Sequence, residues 1–347
     1  MKLTFRWYGD GDPVSLEKIS QIPTMTGIVS AVYDVKPGGV WSEESIAKIK
    51  EDAAKHGLEF EVVESVPVPE DIKLGNEKAP ELIKNYCENI RRLGKAGVKC
   101  ICYNFMPVFD WLRSELEHQQ ADGANALAYD EQTVLAMNPL TSELSLPGWD
   151  ASYNKDELKE LLNAYAELGE EGLWKNLETF LKAVIPVAVE SGVNMAIHPD
   201  DPPWGMFGLP RIITNKENLK RFFDIVPVTN NGLTLCTGSF GANPDNDLVD
   251  MVNSFADRIH FVHLRNIKHT GERKFEEVGH PTECGSIDMF SIAKALVKNG
   301  FDGYVRPDHG RMIWGEKGRY GYGLFDRALG ATYLAGLFEA LEKENNK

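Results

Sequence analysis

Four side chains of the kinds that bind divalent cations stand one each at the ends of four successive β-rich runs: His198, Cys236, His263 and Asp308. Two imidazoles, a thiolate and a carboxylate suit a borderline ion such as Mn, Fe or Zn better than Mg, which prefers octahedral all-oxygen sites. An ion held this way keeps open positions and acts as a Lewis acid on an oxygen-bearing substrate. A lone strand histidine or cysteine is more often a packed core residue, so the test is whether all four converge. Residues two apart on a strand share a face, and one face of a barrel strand must meet apolar helices. His198 inward sends Met195 and Ile197 outward, Cys236 inward does so for Leu233 and Leu235, and His263 inward for Val262 and Leu264. Asp308 inward brings Arg306 with it and turns Val305 outward. The phase agrees on all four.

The elements that must position these residues are legible. Eight β-rich runs recur, bounded by Gly, Pro, Asn or Asp: Leu3–Gly9, Gly27–Tyr33, Glu59–Ser65, Val98–Met106, Asn194–Pro199, Gly232–Gly238, Ile259–Asn266 and Tyr304–Gly310. Helical patterns lie between them. One opens at Ser42-Glu43-Glu44-Ser45 and closes at His56-Gly57, and others cover Asn76–Gly97, Asp156–Gly192, Asn215–Val226, Asp245–Asp257, Ser286–Gly300 and Leu324–Glu344. Strict βα alternation repeated eight times implies a parallel sheet closed into a (β/α)8 TIM barrel, read as a single domain over residues 1–347. Residues 107–150 are an insertion after the fourth strand, with eight acids against the one base Arg113 and with Phe109, Trp111 and Trp149. Following a strand, it belongs over the C-terminal mouth as a lid or subunit-contact segment.

Composition narrows the function. The chain has 347 residues, 43% of them hydrophobic, and a net charge of -15, which repels phosphate backbones and anionic lipid. The expectation is a soluble, cytoplasmic protein with no nucleic-acid or membrane partner. No stretch approaches the roughly 18–20 apolar residues of a membrane span, and Met1–Asp10 lacks a signal-peptide layout. Five cysteines without a C-x-x-C pair fit reduced thiols. Cys87, Cys100 and Cys102 read as packing residues, and His260 as a structural histidine on the outer face. His56, His118, His269 and His280 fall on expected helices or loops.

The segments Ile197-His198-Pro199-Asp200-Asp201-Pro202-Pro203, Leu235-Cys236-Thr237-Gly238-Ser239, Phe261-Val262-His263-Leu264-Arg265-Asn266 and Arg306-Pro307-Asp308-His309-Gly310 together resemble the mannonate dehydratase family. Arg6-Trp7-Tyr8-Gly9 and Gly318-Arg319-Tyr320-Gly321-Tyr322-Gly323 extend the resemblance over essentially the whole chain. It implies a xylose-isomerase-like barrel and a hydro-lyase that removes water from D-mannonate by metal-dependent β-elimination. The product would be 2-dehydro-3-deoxy-D-gluconate, formed in hexuronate (glucuronate) catabolism. It further implies Mn2+ or Fe2+ held by His198, Cys236, His263 and Asp308, and Tyr322 and Asp308 as the proton-transfer pair with His309 beside them.

The chemistry asks for such groups, because a proton beside a carboxylate is weakly acidic and the enediolate left behind needs cationic stabilisation. Arg306 shares the face of Asp308 and Arg265 that of His263, so both are placed to meet a carboxylate or hydroxyls, with Asn266 adjoining. Arg6, Trp7 and Tyr8 at the end of the first strand and Asn104 near the end of the fourth line the expected sugar-acid pocket. Glycines around Tyr322 allow loop closure. The alternative is a metal-dependent sugar isomerase or epimerase on the same barrel, though such enzymes usually hold two metals among carboxylates, and only Asp308 supplies one here. An abasic-site type nuclease would need a basic face, and a sugar-acid sensor would need no proton donor. The last helix, with Leu334 and Leu337, and the acidic insertion suggest a homo-oligomer, a dimer or tetramer.

Overall fold

Each of the eight β-rich runs forms one stave of a closed barrel in the computed structural model, which describes residues 1–137 and 154–345. In chain order the strands are β1 (Lys2–Arg6), β2 (Gly27–Ser30), β3 (Glu59–Glu64), β4 (Cys100–Tyr103), β5 (Glu115–Gln119), β6 (Asn125–Asp130), β7 (Asn194–Ile197), β8 (Asn231–Cys236), β9 (Ile259–Leu264), β10 (Ile267–Gly271), β11 (Lys274–Glu277) and β12 (Tyr304–Pro307). The barrel order is β1-β12-β9-β8-β7-β4-β3-β2, and every neighbouring pair is parallel.

The alternation of side chains decides what each face buries. Met195, Ile197, Leu233, Leu235, Val262, Leu264 and Val305 lie in the layer between barrel and helices, as the phase argument requires. Val29, Val62, Cys100, Cys102, Ala196 and Phe261 fill the barrel interior below the mouth. Truncating a fully buried Leu such as Leu235 to Ala would cost about 2–5 kcal/mol through lost transfer energy and the cavity left behind. Register then aligns the functional residues: Cys236 of β8 and Arg306 of β12 both lie opposite His263 of β9. The His198 N–H donates to Tyr103 O at 2.7 Å, which carries the ladder one residue past β7.

The helices follow their sequence signals. Ser42 caps Glu43–Lys55 by accepting from Ser45 N, and Asn154 with Glu157 forms a capping box on Lys155–Ser191. That long helix is interrupted at Gly169 and stopped by Gly192, both at positive φ. The expected helix over 76–97 is preceded by a separate short helix, Glu70–Leu74, because Gly75 at φ 69° turns the chain between it and Ala79–Lys95.

The βα alternation is broken twice. Between β4 and the long helix lie β5 and β6, and after β9 comes the β10–β11 hairpin; together they form an antiparallel sheet in the order β10-β11-β6-β5. β5, β10 and β11 are short and polar or charged, so their pattern reads as surface loop. His118 and His269 therefore sit on β5 and β10 rather than on helices or loops. Glu143, Trp149 and Asp150 of the acidic insertion lie outside the described residues. On the last helix Leu334 is buried against the barrel and Leu337 is half-buried, while Phe325 and Leu329 are exposed. Among the described residues no helix is long and apolar enough to cross a membrane.

Candidate metal centre and proton-transfer site

The ends of β7, β8 and β9 bring His198, Cys236 and His263 together, with one donor atom from each within 4.8 Å of the others. His198 Nδ1 lies 2.7 Å from Pro199 O, so it carries the ring proton and leaves a lone pair on Nε2. That lone pair faces His263 Nδ1 at 3.2 Å. The other nitrogen of His263, Nε2, faces Glu64 Oε2 at 3.4 Å, which favours the proton there and a lone pair on Nδ1. Two ring lone pairs thus face each other with a buried thiol alongside, an arrangement that suits a shared cation. Cys236 opens the short helix Thr237–Gly241 and accepts from Ser239 Oγ at 3.1 Å.

Asp308 stands at the edge of this set, its Oδ2 3.6 Å from Cys236 Sγ and its Oδ1 3.9 Å from His263 Nδ1. Arg306 Nη1 pairs with Oδ1 at 2.8 Å, and Arg265 Nε lies 3.5 Å from Oδ2. Burial alone would push the Asp308 carboxyl up, but Arg306, His309 and Arg265 hold it well below its ordinary value. It is therefore a carboxylate at neutral pH and a poor base.

Behind these residues runs a buried ion network. Arg306 grips Glu64 through Nε at 3.0 Å and Nη2 at 2.9 Å. Arg265 pairs with Asp201 at 2.8 Å and with Glu277 at 3.2 Å. Arg113 from the insertion binds the same two acids, at 2.9 Å and 2.7 Å. Burial pushes Glu277 up, yet His309, Arg265 and Arg113 outweigh it and hold the carboxyl at about 2. Gly238 is required at its position, since a Cβ there would stand 1.9 Å from Arg265 Nε.

Beside the cluster, His309 Nε2 lies 3.0 Å from Tyr322 Oη. The Tyr322 ring meets Tyr8 edge-on at 5.0 Å, and Arg327 Nη2 donates to the Tyr322 carbonyl at 2.6 Å. Burial and the neighbouring Tyr8 push the Tyr322 phenol well above its ordinary value, so it keeps its proton across the neutral range.

A cavity of about 200 Å³ opens over this arrangement. His198, Arg265, Arg306, Asp308, His309 and Tyr322 line it, and so do Arg6, Tyr8 and Asn104. Cys236 and His263 are fully buried and lie outside its lining. Two expected pocket residues point elsewhere. Trp7, one residue out of phase with Arg6 and Tyr8, packs in the layer outside the barrel. Asn266, out of phase with Arg265, ties the following loop by donating to Pro281 O at 2.8 Å and accepting from Ile287 N at 3.1 Å. Glu64, Asp201, Glu277 and Arg113 belong to the same arrangement, although no motif marks them for a role in it. Glu64 was within reach of the phase test, because it shares the face of the interior Val62. Asp201 follows His198 in the same segment, but its partner Arg113 is 88 residues away.

Comparison with known proteins points the same way. The family model described as D-mannonate dehydratase (UxuA) matches residues 1–347. "Mannonate dehydratase 2" of Halalkalibacterium halodurans is 55% identical over 343 residues, 98% of this chain and 99% of that protein. The crystal structure of mannonate dehydratase from Streptococcus suis serotype 2 superposes with a TM-score of 0.92 at 47% identity, covering 100% of this chain and 96% of the other. A xylose isomerase domain protein from Planctomyces limnophilus, at 12% identity and a TM-score of 0.56 over 98% of both chains, shares the barrel fold alone.

Proposed function

The chain belongs to the D-mannonate dehydratase family, and from that premise we propose which of its residues carry the reaction. It is a hydro-lyase: D-mannonate loses the C2 proton and the C3 hydroxyl as water and becomes 2-dehydro-3-deoxy-D-gluconate. Family membership favours this over the isomerase or epimerase reading, which the fold by itself would leave standing.

His198, Cys236 and His263, joined by Asp308, are the residues that would hold a divalent ion, with Mn2+ or Fe2+ the best match to two imidazoles, a thiolate and a carboxylate. When bound there, the ion supplies Lewis-acid stabilisation of the negative charge that develops beside the substrate carboxylate.

The rest falls to the chain's own side chains. Arg6 lies over Tyr8 at 4.4 Å and reaches Val29 O at 3.3 Å, and it faces the cavity together with Arg306 and Arg265. These guanidiniums orient the sugar acid, with Tyr8 and Asn104 against its hydroxyls. Tyr322 keeps its phenol proton and His309 Nε2 lies against it, so the pair can deliver a proton to the departing hydroxyl and recover one from C2. Asp308, held ionised by Arg306, acts as a ligand rather than a proton carrier. The single observation that carries this assignment is the 3.0 Å His309–Tyr322 contact beside the imidazole–thiol cluster. A cytoplasmic place in hexuronate breakdown fits the reaction.

The test is turnover of D-mannonate by Tyr322→Phe and His309→Asn. Each is expected to lower kcat by about 100-fold or more while leaving bound metal unchanged. Wild-type turnover in both would remove the pair from the mechanism.

A further inference from the structure

Resting on that reading of the His309–Tyr322 pair, we propose that Glu277 is its positioning residue, and that the sheet added to the barrel is the scaffold that delivers it. Glu277 closes β11 and is fully buried, with Oε1 2.9 Å and Oε2 3.0 Å from His309 Nδ1. On the far side of the same ring, Nε2 faces Tyr322 Oη at 3.0 Å. Carboxylate, imidazole and phenol thus form a line that starts in the added sheet and ends in the cavity.

The line fixes which nitrogen carries the ring proton. A bare Nδ1 would set its lone pair against both oxygens of a carboxylate. With the proton on Nδ1, His309 donates to Glu277 and leaves Nε2 free to accept from the Tyr322 hydroxyl. Arg265 Nη1 also lies 2.9 Å from Nδ1, but it has its own acceptor in Glu277 Oε1 at 3.2 Å. The carboxylate decides between the two arrangements.

Glu277 cannot turn away, because it is held from behind. Arg113 donates to Oε1 through Nε at 3.1 Å and Nη2 at 2.7 Å, and Gln120 Nε2 holds the Glu277 carbonyl at 3.0 Å. Arg113 and Gln120 come from the segment inserted after β4, whereas Glu277 comes from the hairpin after β9; β6 and β11 join the two through paired Phe275 and Tyr129. Tyr129 and Phe275 also stack, with centroids 5.5 Å apart at 15°. A bare barrel has neither segment. The geometry gives the added sheet a task within the reaction, whatever further role the insertion has as a lid or subunit contact.

Glu277→Gln tests this, since the substitution keeps shape and removes the charge. The one amide oxygen would be claimed by Arg113 and Arg265, turning the NH2 toward Nδ1 and forcing the opposite tautomer. Expected is a fall in kcat of about 100-fold or more, with KM for D-mannonate and Mn2+ binding by calorimetry both within about threefold of wild type. Glu277→Asp, which keeps the charge, is expected to recover at least about tenfold of that loss. A Gln variant with kcat within about threefold of wild type overturns the proposal. So does a kcat loss matched by an equal change in KM or metal affinity, or an Asp variant no better than Gln. If His309→Asn and Tyr322→Phe turn over normally, the acid–base reading has failed. If they are inactive while Glu277→Gln is normal, only the role of Glu277 has failed.

Discussion

The strand ends of the barrel place buried charge around one cavity and the sheet laid over them places buried charge behind it, by opposite means. On the barrel, neighbouring parallel strands in fixed register place His198, Cys236, His263 and Asp308 in one cluster, and the same register sets Arg306 beside them. On the sheet side, Arg113, just before β5, and Glu277, at the end of β11, are 164 residues apart and meet where β6 pairs with β11. The barrel cluster leaves lone pairs facing each other, whereas the buried charges on the sheet side, Arg113 and Glu277, are each met by opposite ones. The first arrangement is built to take up a cation and the second to hold side chains still.

Substitutions can separate the two. The largest effect is expected from Cys236→Ala, which removes the thiolate from the cluster: bound metal and turnover should both fall to background, with the melting temperature near that of metal-free wild type. Full metal content by elemental analysis would show that the cluster does not bind the ion. On the sheet side, Arg113→Met leaves Asp201 and Glu277 short of a buried partner and should destabilise the fold by about 3–5 kcal/mol in denaturant titration. A loss below about 1 kcal/mol would mean that the network is not closed as described. Glu64→Gln belongs to the barrel side, because Glu64 backs the metal-facing ring of His263. It should weaken metal binding by about 10–100-fold. If Glu277→Gln weakens metal binding equally, the distinction between the two regions collapses.

A smaller effect is expected in acid. Glu277 sits at about 2 in the folded chain against an ordinary 4.5, so the folded state binds its proton less readily than the unfolded one. The stability it contributes is complete above about pH 4.5 and is lost as pH falls toward 2. Thermal melts in that window should show a declining midpoint, and a flat midpoint down to pH 2 would contradict the closed network.

How much of this could be read from the chain follows the same division. Every stave of the barrel was visible, because buried parallel strands are runs of apolar residues punctuated by turn formers, and a period of two assigns each residue a face. The four expected ligands follow that rule, and the rule also rejects Trp7 and Asn266, which lie one residue out of phase with Arg6 and Arg265. The sheet was not visible. β5 and β10 are largely exposed and polar, carrying Glu115, Glu117 and Lys268, and such strands look like loops until their partners are known. Glu277 follows Glu276 on a charged hairpin, and nothing local distinguishes the carboxylate that turns inward.

On the proposed reading, the barrel cluster and the His309–Tyr322 pair together dehydrate D-mannonate. The most direct test of that reading is to strip the protein of metal, add back Mn2+ or Fe2+, and follow formation of the 2-keto-3-deoxy acid. Expected are no product from the stripped protein, restored turnover at one equivalent of ion, and no restoration in Cys236→Ala. Folded, metal-loaded protein that forms no product with any divalent ion would contradict it.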